Sequence, residues 1–471
     1  MLYIFFITLK VIVLASFFSS YETVVTASNI RVKRSLAVLD KDQLWDDGII
    51  PYEIDNTLSG SHRRLLKLAM EEWEQSTCIQ FVDRDNETFL HYLLVSRSGF
   101  GCESYVGRTL SGRNDLNLGG GCMSYRILLH ELGHIIGFYH EHNRPDRDEH
   151  VIINMDNVKT GNNYNFDKLS SEETNTLNQK YDYYSIMHYR RNEFSIDKFK
   201  DTITPIESAN NEIDIIGKKA RLSDTDVTAT NLLYECPECG ETLRYSNGTF
   251  GSSNNSLIIG EYCQWRITAA HGEKIALVIT SLSVPRKSNC PSDYLEIIDG
   301  YSLRSPVLAR LCGKGKVLQP LISTSNHMLV EYKRKTFNKK NYGFTANYYK
   351  ICGGDININD EDKYYYLESP NYPHKYEANK KCIWHINAPR NRKISVVFDY
   401  FKLENSVDCK NDFLEIRDGN GDDYSSPLIG IYCHKNSPRK VLSTDNKLFI
   451  KFVSNDEIEK NGFSAIINVK H

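Results

Sequence analysis

Residues 290–300 read CPSDYLEIIDG and residues 409–419 read CKNDFLEIRDG, the same segment 119 residues apart. Trp265 and Trp384 keep that spacing, each in a Cys-x-Trp context, and so do Gly343 and Gly462, each followed by Phe. Three anchors at one offset make the C-terminal half two copies of one module, so the chain cannot be a single core. Each copy carries four cysteines. The segments IALVITSL, DYLEIIDG, MLVEY and FTANYY recur as ISVVFDYF, DFLEIRDG, LFIKFV and FSAIINV. They are short, alternating and rich in β-branched and aromatic residues, the pattern of a β-sandwich.

The chain is 471 residues long with a net charge of −3. That length predicts several domains. A nearly neutral chain has no global field to attract nucleic acid, although Lys333, Arg334, Lys335, Lys339 and Lys340 form a local basic stretch. Residues 1–27 predict a secretory signal peptide, with Lys10 inside an apolar run and Val25-Thr26-Ala27 as the cleavage pattern. A signal anchor is the alternative, and no membrane span is expected in the mature chain. Residues 28–34 would be a short prosegment ending in Arg31-Val32-Lys33-Arg34, a furin-type site that leaves Ser35 as the new N-terminus. Twelve cysteines behind a signal peptide imply disulfides. Sequons at Asn86, Asn247 and Asn254 agree with a glycosylated, secreted, extracellular protein.

Residues 130–148 read HELGHIIGFYHEHNRPDRD. The apolar period from Ser124 through Leu129, Leu132 and Ile136 predicts a helix with those side chains in the core. His130 and His134, four apart, share a face and can bind one zinc. Glu131 beside them is placed to take a proton from water. Gly137 can turn the chain so that His140 supplies a third nitrogen. Three histidines leave open positions on the metal, the arrangement of a catalytic site. His142, His150 and His91 are expected at the surface.

The motif, followed by Ser185-Ile-Met-His-Tyr189, resembles the astacin family of metzincin metalloendopeptidases over residues 35–236. The resemblance implies a two-lobed α+β catalytic domain around a cleft holding one Zn2+ on His130, His134 and His140. It makes Glu131 the general base, Met187 the Met-turn and Tyr189 a phenol that ligates zinc at rest and swings to stabilise the oxyanion. It places the mature N-terminal ammonium near Glu141 and pairs Cys78 with Cys236 and Cys102 with Cys122. Residues 239–349 and 352–469 resemble CUB domains, implying the pairs Cys239–Cys263, Cys290–Cys312, Cys352–Cys382 and Cys409–Cys433. Each of those four bridges would contribute about 3 kcal/mol.

Protease, CUB, CUB resembles a shortened tolloid, or procollagen C-proteinase, without an EGF-like module. The seven-residue prosegment holds no Asp or Cys to cap the zinc. CUB resemblance further implies a calcium site in the second copy from Glu404, Asp412 and Asn455, with Asp456 adjacent and Tyr376 supporting Glu404. The first copy has Pro285, Asp293 and Lys335 at those positions and is expected to be free of Ca2+. Lys218, Lys219 and Arg221 resemble the stretch beyond the scissile bond and hint at acidic substrate residues there. The reading is a secreted zinc endopeptidase cleaving extracellular or matrix proteins, with CUB domains recruiting substrate or binding matrix or carbohydrate. The alternative is a non-catalytic adhesion protein with an astacin-like domain; the intact Glu and three His favour the enzyme.

Overall fold

The computed structural model describes residues 36–84, 89–99, 101–206, 216–252, 261–335, 342–358, 364–421 and 425–470. Asn86, Asn254 and the segment through Ser35 lie outside these residues, so the processing site and two of the three sequons do too.

The N-terminal region has two lobes. In the first, a five-stranded sheet runs in the order Gln80–Asp83, Ile49–Ile54, Tyr92–Ser96, Arg113–Leu118, Cys102–Ser104. All pairs are parallel except the last, where Cys102–Ser104 forms an antiparallel edge. Helices α1 (Gly60–Ser76) and α2 (Tyr125–Ile136) pack against it and each other. Leu66, Ala69, Met70 and Trp73 recur at helical spacing on α1 and meet Leu128, Leu129, Leu132 and Ile136 of α2 in one core. The indole of Trp73 donates to Leu129 O (3.1 Å) and that of Trp45 to Ile135 O (2.8 Å), fixing α2 from two sides. The second lobe is mostly irregular, with a small core of Val151, Val158, Phe166, Tyr181 and Ile203. Helix α3 (Asp224–Leu233) returns to the first lobe, where Ala229 and Leu233 join its core.

Each repeat is a sandwich of a five-stranded and a four-stranded sheet. In the first, Glu261–Thr268, His327–Arg334 and Tyr294–Ile298 are central to one sheet, and Glu273–Val284 and Gly343–Cys352 to the other. The second repeats this plan with Lys381–Asn387, Lys447–Val453 and Phe413–Asp418 facing Lys393–Lys402 and Gly462–Lys470. Trp265 and Trp384 are buried in the two cores. Six disulfides join Cys78 to Cys236, Cys102 to Cys122, Cys239 to Cys263, Cys290 to Cys312, Cys352 to Cys382 and Cys409 to Cys433.

Both repeats dock on α1. Gly60, Arg63, Lys67, Glu71 and Glu74 recur every three or four residues on its face away from the core. A Cβ on Gly60 would stand 2.2 Å from Asp399 O, so glycine permits the backbones to touch. Arg63 pairs with Asp399 (3.1 Å), Lys67 with Glu368 (2.5 Å) and Glu71 with Arg244 and His374 (2.8 Å each). His271 of the first repeat bridges Asp83 of the catalytic region and Glu368 of the second. Trp384 Nε1 donates to Gly272 O (2.8 Å), tying the repeats together.

Candidate active site

Helix α2 starts at Ser124, whose Oγ accepts from Ile127 N (3.3 Å). It ends at Gly137, whose φ of 126° an L side chain rarely adopts. That turn carries His140 back over the helix. Nε2 of His140 lies 3.2 Å from Nε2 of His130 and 3.1 Å from Nε2 of His134. Nδ1 of His130 donates to Ile186 O (2.8 Å) and Nδ1 of His134 to Phe138 O (2.7 Å). These bonds leave both Nε2 lone pairs aimed inward. Burial first, then the neighbouring imidazoles, pushes His130 and His140 well below the ordinary histidine range. A tetrahedral zinc with nitrogen ligands has ligand–ligand edges of about 3.3 Å, so this set of neutral nitrogens fits the ion.

Glu131 is buried, and its Oε2 accepts from Ser104 Oγ (2.9 Å) on the sheet edge. That edge is bound to α2 by Gly107 N donating to His134 O (2.8 Å) and by the Cys102–Cys122 bridge. Met187 lies beneath the helix; a Cβ on Gly133 would stand 2.4 Å from its Sδ, so the glycine between the two helical histidines lets the Met-turn approach. The turn is held by Asp226, which accepts from Ser185 Oγ (2.7 Å), Ile186 N (2.9 Å) and Ser223 N (2.9 Å). Burial, then neighbouring Asp182, raises Asp226 to about 6. The ring of Tyr189 lies 4.3 Å from His140 and 4.1 Å from His142. Burial, then Glu193 and Glu131, raises the phenol above its ordinary value and keeps its proton.

His142 is fully buried, a correction to the surface expectation. It donates from Nε2 to Asn165 O (3.0 Å) and lies tilted against Phe166 and Tyr189, because the turn after His140 folds inward. His91 and His150 are half-buried rather than fully exposed. Glu141 is also buried: Oε1 accepts from Asp182 N (2.9 Å) and Arg144 Nη1 (3.3 Å), and burial foremost lifts its carboxyl to about 8. Leu36, one residue after Ser35, accepts from Tyr139 N (3.0 Å), two residues from Glu141. Gly217 packs on the backbone of Tyr189, and Lys218, Lys219 and Arg221, which follow it in the chain, are exposed.

In the second repeat Asp412 accepts from Tyr376 OH (2.5 Å) and Asn455 N (2.8 Å), while Glu404 N donates to Tyr376 OH (3.1 Å). The tyrosine thus holds the side chain of Asp412 rather than that of Glu404. Oε2 of Glu404 is buried and, among the described residues, without a hydrogen-bond partner. In the first repeat the ammonium 4.0 Å from Asp293 belongs to Lys287, and Lys335 donates its backbone N–H to Asp293 (3.0 Å). Asn247 is exposed at the start of strand Asn247–Gly251.

Ser104 has no signal in the sequence, since only sheet pairing brings it to Glu131. Asp226 had one: Ser223-x-x-Asp226 is a capping box, which the structure forms.

A profile for the Astacin peptidase family matches residues 37–235, and one for the CUB domain matches residues 239–348 and 352–466. The Bone morphogenetic protein 1 homolog of Strongylocentrotus purpuratus is 39% identical over 449 residues, covering 93% of this chain and 68% of that one. The chain belongs to the astacin family. This astacin has two CUB domains behind its metzincin domain. Human Tolloid-like protein 1 is 41% identical over 437 residues, 92% of this chain and 42% of its own, and Drosophila melanogaster Dorsal-ventral patterning protein tolloid is 38% identical over 475 residues, 95% and 44%. The chain therefore spans about half the length of several relatives it matches. Among solved structures, the hatching enzyme zinc-protease HCE-1 of Oryzias latipes aligns with 44% of this astacin and 96% of its own chain, at 38% identity and a TM-score of 0.37.

Proposed function

We propose that this chain is a secreted zinc-dependent endopeptidase acting on extracellular or matrix proteins. The observation that carries the reading is the convergence of three anchored imidazoles on one point, beside a carboxylate held by Ser104. Zinc, when bound by His130, His134 and His140, supplies Lewis acidity that polarises the scissile carbonyl and acidifies water. Glu131 takes the proton of the attacking water and returns it to the leaving nitrogen. Tyr189, holding its proton, donates a hydrogen bond to the carbonyl oxygen as charge develops there. Purified full chain should contain one zinc, cleave internal peptide bonds and lose activity to a chelator. Glu131→Gln should keep the zinc and lose at least about a thousandfold in kcat. Wild-type activity in that variant would overturn the mechanism, and inactivity of zinc-loaded protein on a broad peptide library would favour an adhesion role.

Lys218, Lys219 and Arg221 favour acidic residues just beyond the scissile bond, which cleavage-site profiling tests. Cleavage after Arg34 would free an ammonium one residue before Leu36, whose carbonyl accepts from Tyr139 N, and Glu141 would be its partner; Arg34→Ala should be secreted uncleaved and weakly active. In the second CUB domain Glu404, Asp412 and Asn455 would hold Ca2+, the buried unpartnered Oε2 of Glu404 being the supporting observation. Calcium should raise the melting temperature of the full chain, and Glu404→Gln should abolish that rise. An equal rise in the variant would count against the site. A glycan on Asn247 fits its exposure.

A further inference from the structure

The basic stretch at Lys333–Lys335 plays no part in the site above. Within it Arg334 turns inward and is buried, while Lys335 is exposed. Lys335 donates its backbone N–H to Asp293, and Lys287 lies 4.0 Å from the other oxygen of that carboxylate. The Cys290–Cys312 disulfide draws this loop onto the start of strand Gly313–Ile322, with Cys312 Sγ 3.4 Å from Lys287 O. The methylenes of Arg286 lie 3.7 Å from where a Cβ of Gly313 would stand, and Lys314 pairs in register with Ser283. Strand alternation puts Lys314 and Lys316 on one face. Arg286, Lys287, Lys314, Lys316 and Lys335 are all exposed, whereas Asp293 is 1% exposed. Among the described residues Arg286, Lys314, Lys316 and Lys335 make no ion pair. One end of the first CUB domain therefore presents five cations around a single disulfide.

The fold does not require this. At the equivalent positions the second CUB domain has Asn405, Ser406, Lys435, Ser437 and Asn455, one cation in place of five. Nor does the whole molecule impose it, since the net charge is −3. Like charges gathered this closely, with only Lys287 facing a carboxylate, gain from a partner that brings several negative charges at once. Ser288, Asn289 and Gly315, small or polar and exposed, separate these cations along the chain, and among the described residues no aromatic side chain is exposed within these segments; Leu318 is a large exposed aliphatic further along the strand. Long cationic side chains on an open surface suit a flexible linear polyanion, gripped by many charge contacts and released by salt.

We propose that this end of the first CUB domain binds a sulfated glycosaminoglycan, which would tether the chain to extracellular polysaccharide. The proposal rests on the extracellular placement above and not on peptidase chemistry. The test is full chain on immobilised heparin, with dissociation constants measured across a salt series. Wild type should bind at physiological ionic strength. Arg286→Gln, Lys314→Gln, Lys316→Gln and Lys335→Gln combined should weaken binding at least about tenfold and lower the slope of log Kd against log salt by roughly three. Its melting temperature and its cleavage of short peptides should stay as in wild type. A control with Lys435→Gln, Arg439→Gln and Lys440→Gln should bind as wild type does. Absence of wild-type binding, equal binding by the fourfold variant, or competition by polyglutamate as strong as by heparin would each overturn the proposal. Loss of peptide cleavage with heparin binding intact would strike the proposed function alone.

Discussion

Glu131 has two oxygens, and Ser104 takes one of them. In the proposed mechanism the remaining oxygen faces the attacking water, so Ser104 would orient the base without touching the reacting atoms. A hydrogen bond to a charged group contributes about 1.5–3 kcal/mol, which corresponds to at least about a tenfold effect on rate. Ser104→Ala should lower kcat by about that factor with KM and zinc content unchanged, and Ser104→Thr should restore most of it. A parallel loss of zinc would show that the contact serves only the fold. At Tyr189 the same logic gives a larger effect: Tyr189→Phe removes a donor acting on developing charge, and kcat should fall about a hundredfold while KM moves little.

Helix α1 divides its faces between two tasks. Its apolar face supports the zinc helix through Trp73, and its charged face holds the CUB domains. At the junction His271 meets Asp83, Glu368 and Lys67, with His327 close by. Burial alone would depress His271, but Asp83 and then Glu368 outweigh burial and Lys67 and lift it to about 10. Burial would raise Asp83 and Glu368, and the two cations hold both below the usual carboxylate range. The histidine's folded value exceeds its unfolded value of 6.5, so its contribution is complete below about pH 6.5 and fades as pH climbs towards 10. The carboxylates contribute above their unfolded values and lose that contribution in acid. Melting curves of wild type and His271→Gln should therefore differ most near pH 6 and converge near pH 10. A constant gap across that range would dismiss the ionic account.

At the scale of the molecule, the ion pairs on α1 join three domains. Arg63 and Asp399 are both nearly buried, 7% and 11% exposed, and removing one partner of such a pair costs about 3–5 kcal/mol. Calorimetry of the wild-type chain should show a single cooperative transition. Arg63→Glu with Lys67→Glu should split it, with a CUB transition separating from the catalytic one while zinc content holds. A single transition in the variant would mean that the apolar contacts suffice to couple the domains.

The sequence alone determined the modules and the chemistry. Period-two and period-3.6 patterns, the 119-residue repeat and the spacing of His130, His134 and His140 are local signals, because a helix or a strand fixes where residues a few positions apart must lie. The tertiary structure decided what depends on distant segments meeting. Ser104 reaches Glu131 only through sheet pairing, His142 is buried only because the turn after His140 folds inward, and the capping residue Asp226 grips the Met-turn from another helix. The charged stripe of α1 shows the reason most plainly. The helical spacing of Arg63, Lys67 and Glu71 is equally that of a solvated face, and nothing in their own neighbourhood distinguishes water from the oppositely charged side chains that two later domains bring against them.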